Sequence, residues 1–125
     1  MNSMKRDGIK EDFQRIQRAF PDAELDTYSG WMLLPSFLLP NRYNNDSVPV
    51  LFRLFPDSPY TEPHIYVPDD LDLAGTRSGH LDFATEPDMK ARRLKRICIK
   101  MNWQAGNSLL DAVHLALDFL NNLRD

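Results

Sequence analysis

The sequence predicts a single α+β domain in which a helix at each end flanks an antiparallel sheet. Apolar residues recur at helical spacing from Ile9 to Phe20, and again from Leu109 to Leu123. Short apolar runs separated by turn residues lie between these two segments. At 125 residues and 42% hydrophobic content, the chain can bury one core but cannot easily be divided into two domains.

The first helix is predicted from Ile9, Phe13, Ile16 and Phe20, which follow one another at intervals of three or four residues. Polar and charged side chains occupy the positions between them, as expected of a helix with one buried face. Pro21 ends this helix because proline cannot supply the backbone donor that a continuing helix needs.

Four strands are predicted between the helices, at residues 24–28, 31–39, 48–55 and 64–67. Ser29 and Gly30 form the turn between the first two strands, and the polar residues 41–47 form the next loop. Pro35 interrupts the second strand, so it predicts a bulge or an edge there. The order of these elements predicts an antiparallel meander.

Residues 69–91 contain two glycines, several acids and little periodicity, which predicts a long irregular loop. A loop of this length is unusual in a compact domain and is often functional. The closing helix follows this loop, with leucines and Val113 on one side and Asn107 or Ser108 as its cap.

Composition excludes several functions. A net charge of −3 and a pI near 5.5 argue against a general nucleic-acid binder. No run approaches the roughly 18 apolar residues of a membrane span, and the polar start is neither a signal nor a transit peptide. One cysteine cannot form an internal disulfide. We therefore expect a cytoplasmic protein.

No bound cofactor or metal is expected. The three histidines, the lone cysteine and the scattered acids show no metal-ligand spacing. No glycine-rich phosphate loop is present, so a partner would use any ATP. The one basic cluster spans residues 90–96, and it is either a solvated approach to a strand or a patch for a phosphate or an acidic partner.

Two motifs carry a family resemblance. Phe55-Pro56, Tyr60 and Pro63 form an F-P-x-x-x-Y-x-x-P turn after the third strand, and the run I97-C-I-K-M-N-W103 follows later. In this order, from the first helix to Leu123, the chain resembles the ubiquitin-conjugating (UBC-like) superfamily. The segment W103-QAGNSLLDAVHLAL-117 resembles divergent bacterial members encoded beside ubiquitin-like modifiers and JAB-type peptidases.

The resemblance implies a UBC-like fold with an N-terminal helix, a four-stranded antiparallel meander, a long flap loop with the cysteine and a C-terminal helix. It also implies a carrier that accepts a ubiquitin-like modifier as a thioester on Cys98 from an adenylating enzyme and passes it to an amine. A JAB-type peptidase is a further implied partner. His80 in the flap is a candidate base toward the amine, and Asp82 is a candidate to orient or deprotonate it.

The family uses its first helix and the proline-rich turn to dock the adenylating enzyme. The resemblance therefore implies a partner-binding surface made of Lys10, Arg15, Arg18, Pro56, Tyr60 and Pro63.

Cys98 has two interpretations. It can be a nucleophile whose thiolate is favoured by the neighbouring basic residues, or a small buried hydrophobe between two isoleucines. Strand alternation points Ile97 and Ile99 one way and Cys98 the other, which is compatible with both. His64 is predicted at the strand surface, and His114 is predicted to be a structural, hydrogen-bonded histidine.

The sequence also departs from the family. It has no His-Pro-Asn before the cysteine, which removes the asparagine thought to stabilise the oxyanion during transfer. This departure favours an alternative function, a non-catalytic module similar to RWD domains that holds a modifier or a partner enzyme. A small acidic chaperone or adaptor is a weaker third possibility.

Overall fold

The computed structural model describes residues 2–40, 43–55, 62–71, 85–97, 99, 103–104 and 107–122, with the backbone alone for 2–8. The chain begins with helix α1 (Asn2–Ala19) and continues with strands β1 (Glu24–Asp26), β2 (Trp31–Leu38), β3 (Ser47–Arg53) and β4 (His64–Pro68). The short helix α2 (Pro87–Ala91), strand β5 (Leu94–Arg96) and helix α3 (Leu109–Asn122) follow. This order confirms an α+β domain with a helix at each end.

The sheet has five strands in the order β1-β2-β3-β4-β5, and every neighbouring pair is antiparallel. The prediction of four strands was therefore wrong by one. The additional strand, β5, lies within the basic cluster and pairs Arg96 with Tyr66 and Lys95 with Val67. Its Lys95 side chain is buried, and the ammonium group donates a hydrogen bond of 2.5 Å to the carbonyl of Leu71.

The loop predicted at residues 69–91 is also interrupted by structure at its far end. Helix α2 begins at Pro87, which suits a first-turn position because the first amides of a helix have no internal partner. Met89 is fully buried and α2 packs against β5. Residues 72–84 lie outside the described part of the chain.

The bulge predicted at Pro35 is confirmed. Residues Trp31 to Leu34 pair with β3 in one register, and the register shifts between Leu34 and Phe37. Proline cannot donate to the ladder, so the extra residue is accommodated where a hydrogen bond would be missing in any case.

Alternation along the strands gives the sheet two different faces. The inner face carries the main core, where sheet residues such as Met32, Phe52 and Ile65 join Ile16 of α1 and Val113 of α3. The outer face carries Trp31, Arg53, His64, Tyr66 and Arg96, which share one side through their cross-strand pairing. Tyr66 is fully buried although it is not part of the inner core.

The turn between β1 and β2 is fixed by Asp26 and Gly30. The Asp26 carboxylate accepts the amides of Tyr28 and Ser29, and Gly30 adopts a positive φ of 80°. The carbonyl of Gly30 also accepts the amide of Leu54 at 2.8 Å, and a Cβ at Gly30 would lie 2.9 Å from the Leu54 carbonyl oxygen. Glycine is therefore required here by both backbone conformation and space.

Helix α3 begins with a reciprocal cap. The Ser108 hydroxyl accepts the amide of Asp111, and the Asp111 carboxylate accepts the amide of Ser108 at 2.8 Å. Ser108 is thus the capping residue, whereas Asn107 accepts the amide of Gln104. Within the described chain, no helix combines the length and apolar character needed to cross a membrane.

Candidate functional site

The outer face of the sheet holds a compact group of polar side chains, which we call the outer-face cluster: Arg53, His64, Tyr66, Glu86 and Arg96. Strand pairing assembles most of it, because Arg53 lies opposite His64 and Tyr66 lies opposite Arg96. Glu86 is the residue immediately before α2, and its backbone is extended. Three strands and one helix start therefore fix these side chains on a rigid frame.

Glu86 is the centre of the cluster. Its Oε2 atom accepts a hydrogen bond of 2.5 Å from the Tyr66 hydroxyl. The same oxygen forms an ion pair with Nη1 of Arg53 at 3.2 Å. The Nδ1 atom of His64 lies 3.7 Å from the same oxygen, too far for a hydrogen bond. Asp88 approaches Arg53 from α2 at 3.9 Å.

Two buried polar atoms in this cluster have no hydrogen-bond partner: Nδ1 of His64 and Oε1 of Glu86. Buried polar atoms in native proteins are nearly always paired, so each unpaired atom calls for a functional or structural reason. The two atoms belong to neighbouring side chains, and Nδ1 of His64 lies 3.7 Å from the other carboxylate oxygen of Glu86, Oε2.

Burial and charge shift the ionisation of the cluster. Burial, together with the hydrogen bond to Glu86, raises the pKa of Tyr66 to about 12. Burial acts to raise the pKa of Glu86, but the Tyr66 hydrogen bond and the nearby His64 and Arg96 outweigh it, so that the Glu86 pKa is lowered. Tyr66 is therefore a donor and Glu86 a carboxylate at neutral pH.

His64 is held in its neutral form. Burial lowers the pKa of His64 below its ordinary value, and the positive charge of Arg96 lowers it further. Glu86 acts in the opposite direction without reversing the shift. A neutral imidazole has one nitrogen free to accept a proton, which is the state that a general base requires.

Aromatic rings frame the cluster. The guanidinium groups of Arg53 and Arg92 lie 5.7 Å and 5.6 Å from the ring of Trp31, and Tyr66 packs edge-on to the same ring at 6.4 Å. The ring of Phe55 lies 4.8 Å from that of His64, also edge-on. These contacts restrict the imidazole and bring positive charge to this surface.

The chemistry available to the cluster is therefore acid–base and electrostatic. His64 can accept a proton, Glu86 can orient it, and the arginines can stabilise developing negative charge. Among the described residues, no group of histidines, acids or cysteines is arranged to hold a metal ion.

The catalytic residues predicted from the sequence, Cys98, His80 and Asp82, all lie outside the described residues. The neighbours of Cys98 are described. Ile97 is 3% exposed and belongs to the inner core, and Ile99 packs against that core. Arg96, two positions before Cys98, belongs to the outer-face cluster.

The predicted partner-binding residues fall into three groups: exposed, buried and outside the described part of the chain. Lys10, Arg15 and Arg18 are exposed on α1, as a docking surface requires. Pro56 and Tyr60 lie outside the described residues. Pro63, just before β4, is buried.

Sequence reasoning missed most of the outer-face cluster. His64 was predicted at the strand surface, but its side chain is only 26% exposed. Nothing in the local sequence indicated that this side of the strand is covered. Glu86 lies 22 positions from His64 and 33 from Arg53, as 86 − 64 and 86 − 53 give. His114, which the sequence predicted to be a structural, hydrogen-bonded histidine, has an exposed side chain on α3.

No family model, curated protein or solved structure matches this chain. The structure itself thus defines the class: an α+β domain with a five-stranded antiparallel sheet, helices at both ends and a polar cluster on its outer face.

Proposed function

We propose that this protein is a ubiquitin-conjugating-like carrier, which accepts a ubiquitin-like modifier as a thioester on Cys98 from an adenylating enzyme and transfers it to an amine. One observation carries this proposal: the positions on either side of Cys98 are anchored in the core directly after β5, at Ile97 and Ile99. A transfer cysteine benefits from such anchoring because its thiol must meet a large incoming thioester in a fixed place.

The charge near this segment supports the same function. Arg92 and Arg93 are exposed, and Arg96 lies in the outer-face cluster. Positive charge close to a thiol favours its thiolate form, which is the nucleophile in thioester exchange.

The exposed basic face of α1 supports the proposed docking of the adenylating enzyme. Lys10, Arg15 and Arg18 project from a helix whose other face is held by Ile9 and Ile16 in the core. Charges of this kind at the edge of an interface mainly raise the rate of association and make it sensitive to salt.

A loading reaction tests the proposal. Incubated with ATP and with the adenylating enzyme and modifier of its own organism, the wild-type chain should gain one modifier through a bond that added thiol cleaves. Cys98 is the only thiol in the chain, so Cys98→Ala should abolish the adduct. Cys98→Ser should instead trap a thiol-resistant ester, because the serine oxygen gives a less reactive bond.

The absence of His-Pro-Asn favours a second function, a non-catalytic module of the same fold that holds a modifier or a partner enzyme. That function predicts stoichiometric binding which Cys98→Ala leaves unchanged, with no thiol-sensitive adduct. If only a non-covalent complex forms while the adenylating enzyme is charged with modifier, the carrier function is wrong and the binding function replaces it.

A further inference from the structure

An apolar cavity lies between the end of α1, the second half of β2 and the second half of α3. Its volume is about 570 Å³, which is within the range of pockets that take a ligand. Phe20 and Phe37 are stacked in its lining, with ring centroids 6.1 Å apart, and Pro35, Pro40 and Leu117 line it as well. Because the lining is mainly apolar, the cavity suits a bulky hydrocarbon or aromatic group.

The edge of β2 beside this cavity has no strand partner within the described part of the chain. Strand β1 pairs with β2 only from Trp31 to Leu33, whereas β2 continues to Leu38. The cavity is lined by the same second half of β2, from Leu34 onwards. An unpaired strand edge of this kind is a template to which an extended peptide can add as a further strand.

The backbone of Leu38 faces this unpaired edge. The amide of Leu39 donates to the carbonyl of Asp46 at 2.9 Å, so the backbone of Leu39 is directed towards β3. Peptide groups alternate in direction along an antiparallel strand, so Leu38 and its partner Ser47 form a non-hydrogen-bonded pair. The N–H and C=O groups of Leu38 therefore point away from β3. The Leu38 side chain is also 78% exposed, which leaves room for an incoming strand.

The charge at the cavity is negative. Among the described residues that line it, Asp22 is the only charged one, and none of the ion pairs in the described part of the chain involves this residue. Arg18 is close in sequence but lies about 200° around α1 from the buried Ile16. Ala19 and Phe20, which line the cavity, lie within about 60° of Ile16. The exposed Asp22 carboxylate therefore favours a basic group on whatever enters.

These three features identify one kind of occupant. We propose that the cavity and the unpaired edge of β2 together bind an extended segment of a partner protein. The segment adds a strand beside Leu38 and places a bulky apolar side chain in the cavity. A lysine or arginine two positions from that side chain lies on the same face of the added strand and pairs with Asp22. This site is independent of the carrier function, because it uses neither Cys98 nor the outer-face cluster.

A short peptide tests the proposal on the full chain. The probe is acetyl-Lys-Val-Phe-Val-Lys-amide, whose Phe and two Lys side chains share one face when the peptide is extended. Titrated to about 1 mM, it should shift the amide NMR signals of Ser36 and Leu38 in a saturable way. Replacing the Phe of the probe with Ala should weaken binding about tenfold or more, because the cavity is then left unfilled.

N-methylated probes test whether the peptide binds as a strand. Alternate peptide groups of an added strand face its neighbour, so only alternate N–H groups form hydrogen bonds with β2. One probe carries N-methyl groups on both Val residues, and the other carries them on the Phe and the second Lys. One of the two should fail to bind, and the other should bind within about threefold of the parent probe.

Charge reversal tests the role of Asp22. Asp22→Lys should weaken binding of the parent probe about fivefold, and it should improve binding of the matching probe with Glu in place of both Lys residues. Glu11→Lys makes the same charge change at an exposed position about 12 Å back along α1 from Ala19. This control should leave both affinities nearly unchanged.

Filling the cavity tests its role directly. Ala19 is exposed and lines the cavity, so Ala19→Trp can fill the space without replacing a core side chain. This variant should keep the wild-type melting temperature and lose binding of the probe. Gln14→Trp, at an exposed α1 position that does not line the cavity, should bind the probe as the wild type does.

Four results would overturn the proposal. The first is that no probe with Phe, Leu or Trp at its centre shifts the signals of Ser36 and Leu38. The second is that the two N-methylated probes bind equally well, which would mean that the cavity takes an apolar group without an added strand. The third is that both charge reversals have the same effect. The fourth is that the two signals shift when the protein alone is concentrated, which would mean that the edge pairs with a second copy of the chain.

Discussion

Asp12 on the first helix caps the last helix: its Oδ2 atom accepts the backbone amide of Leu109 at 2.5 Å and that of Leu110 at 3.3 Å. Asp12 is buried, with only 6% of the residue exposed. Asp12 and Leu109 lie 97 positions apart in the chain. This contact ties α1 to the first turn of α3.

Asp12→Ala should lower the free energy of unfolding by about 2–3 kcal/mol, because it removes a helix cap and leaves buried amides without acceptors. Urea denaturation measures this directly. Glu11→Ala, at the exposed neighbouring position, should stay within about 0.5 kcal/mol of the wild type. Equal losses in the two variants would show that Asp12 does not act as a cap.

The ionisation of Tyr66 should be visible in an alkaline titration. Since the pKa of Tyr66 in the folded protein is about 12, above its ordinary value, the stability due to its neutral hydroxyl is complete below pH 10 and is lost as the pH rises towards 12. Tyr66→Phe should therefore abolish this late phase of the tyrosinate absorbance change. A titration in which Tyr66→Phe removes a phase near pH 10 would contradict the buried hydrogen bond to Glu86.

The pKa of His64 should respond to its neighbours with opposite signs. NMR titration of the imidazole should place the wild-type pKa below 6.5, with Arg96→Ala raising it and Glu86→Gln lowering it further. Because the folded-state pKa is depressed, the neutral imidazole stabilises the protein above about pH 6.5, and this stability is lost as the pH falls through the folded-state pKa. Shifts of the same sign in the two variants would refute the arrangement.

The basic face of α1 should govern association with the adenylating enzyme. Charge reversal in the double variant Arg15→Glu/Arg18→Glu should slow modifier loading at low salt by about tenfold or more, with a smaller effect at high salt. Lys90→Glu, an exposed charge reversal on α2, is the control and should load nearly as fast as the wild type. Unchanged loading of the double variant at low salt would exclude this face.

The sequence predicted the regular elements because their patterns are local. Ile9 and Ile16 on α1, and Leu109 and Val113 on α3, are all buried as their helical spacing indicated. The bulge at Pro35 was predictable from the missing amide donor alone. Each of these features depends on residues within a few positions of one another.

Non-local pairing explains what was not predicted. Strand β5 contains Lys95, whose burial depends on the carbonyl of Leu71, which lies 24 positions away. A lysine between Leu94 and Arg96 indicates a solvated segment unless that partner is known. The outer-face cluster likewise depends on Glu86 reaching Tyr66 and Arg53 from a distant segment.

The most direct test of the carrier function is the intact mass of the protein recovered from its own organism in acid, without reducing agent, after rapid alkylation of free thiols. A carrier predicts a fraction with one added modifier and no alkylated Cys98, which reverts to the bare mass with dithiothreitol and is absent from Cys98→Ala. If Cys98 is fully alkylated and every adduct resists dithiothreitol, the protein does not carry a modifier on this cysteine.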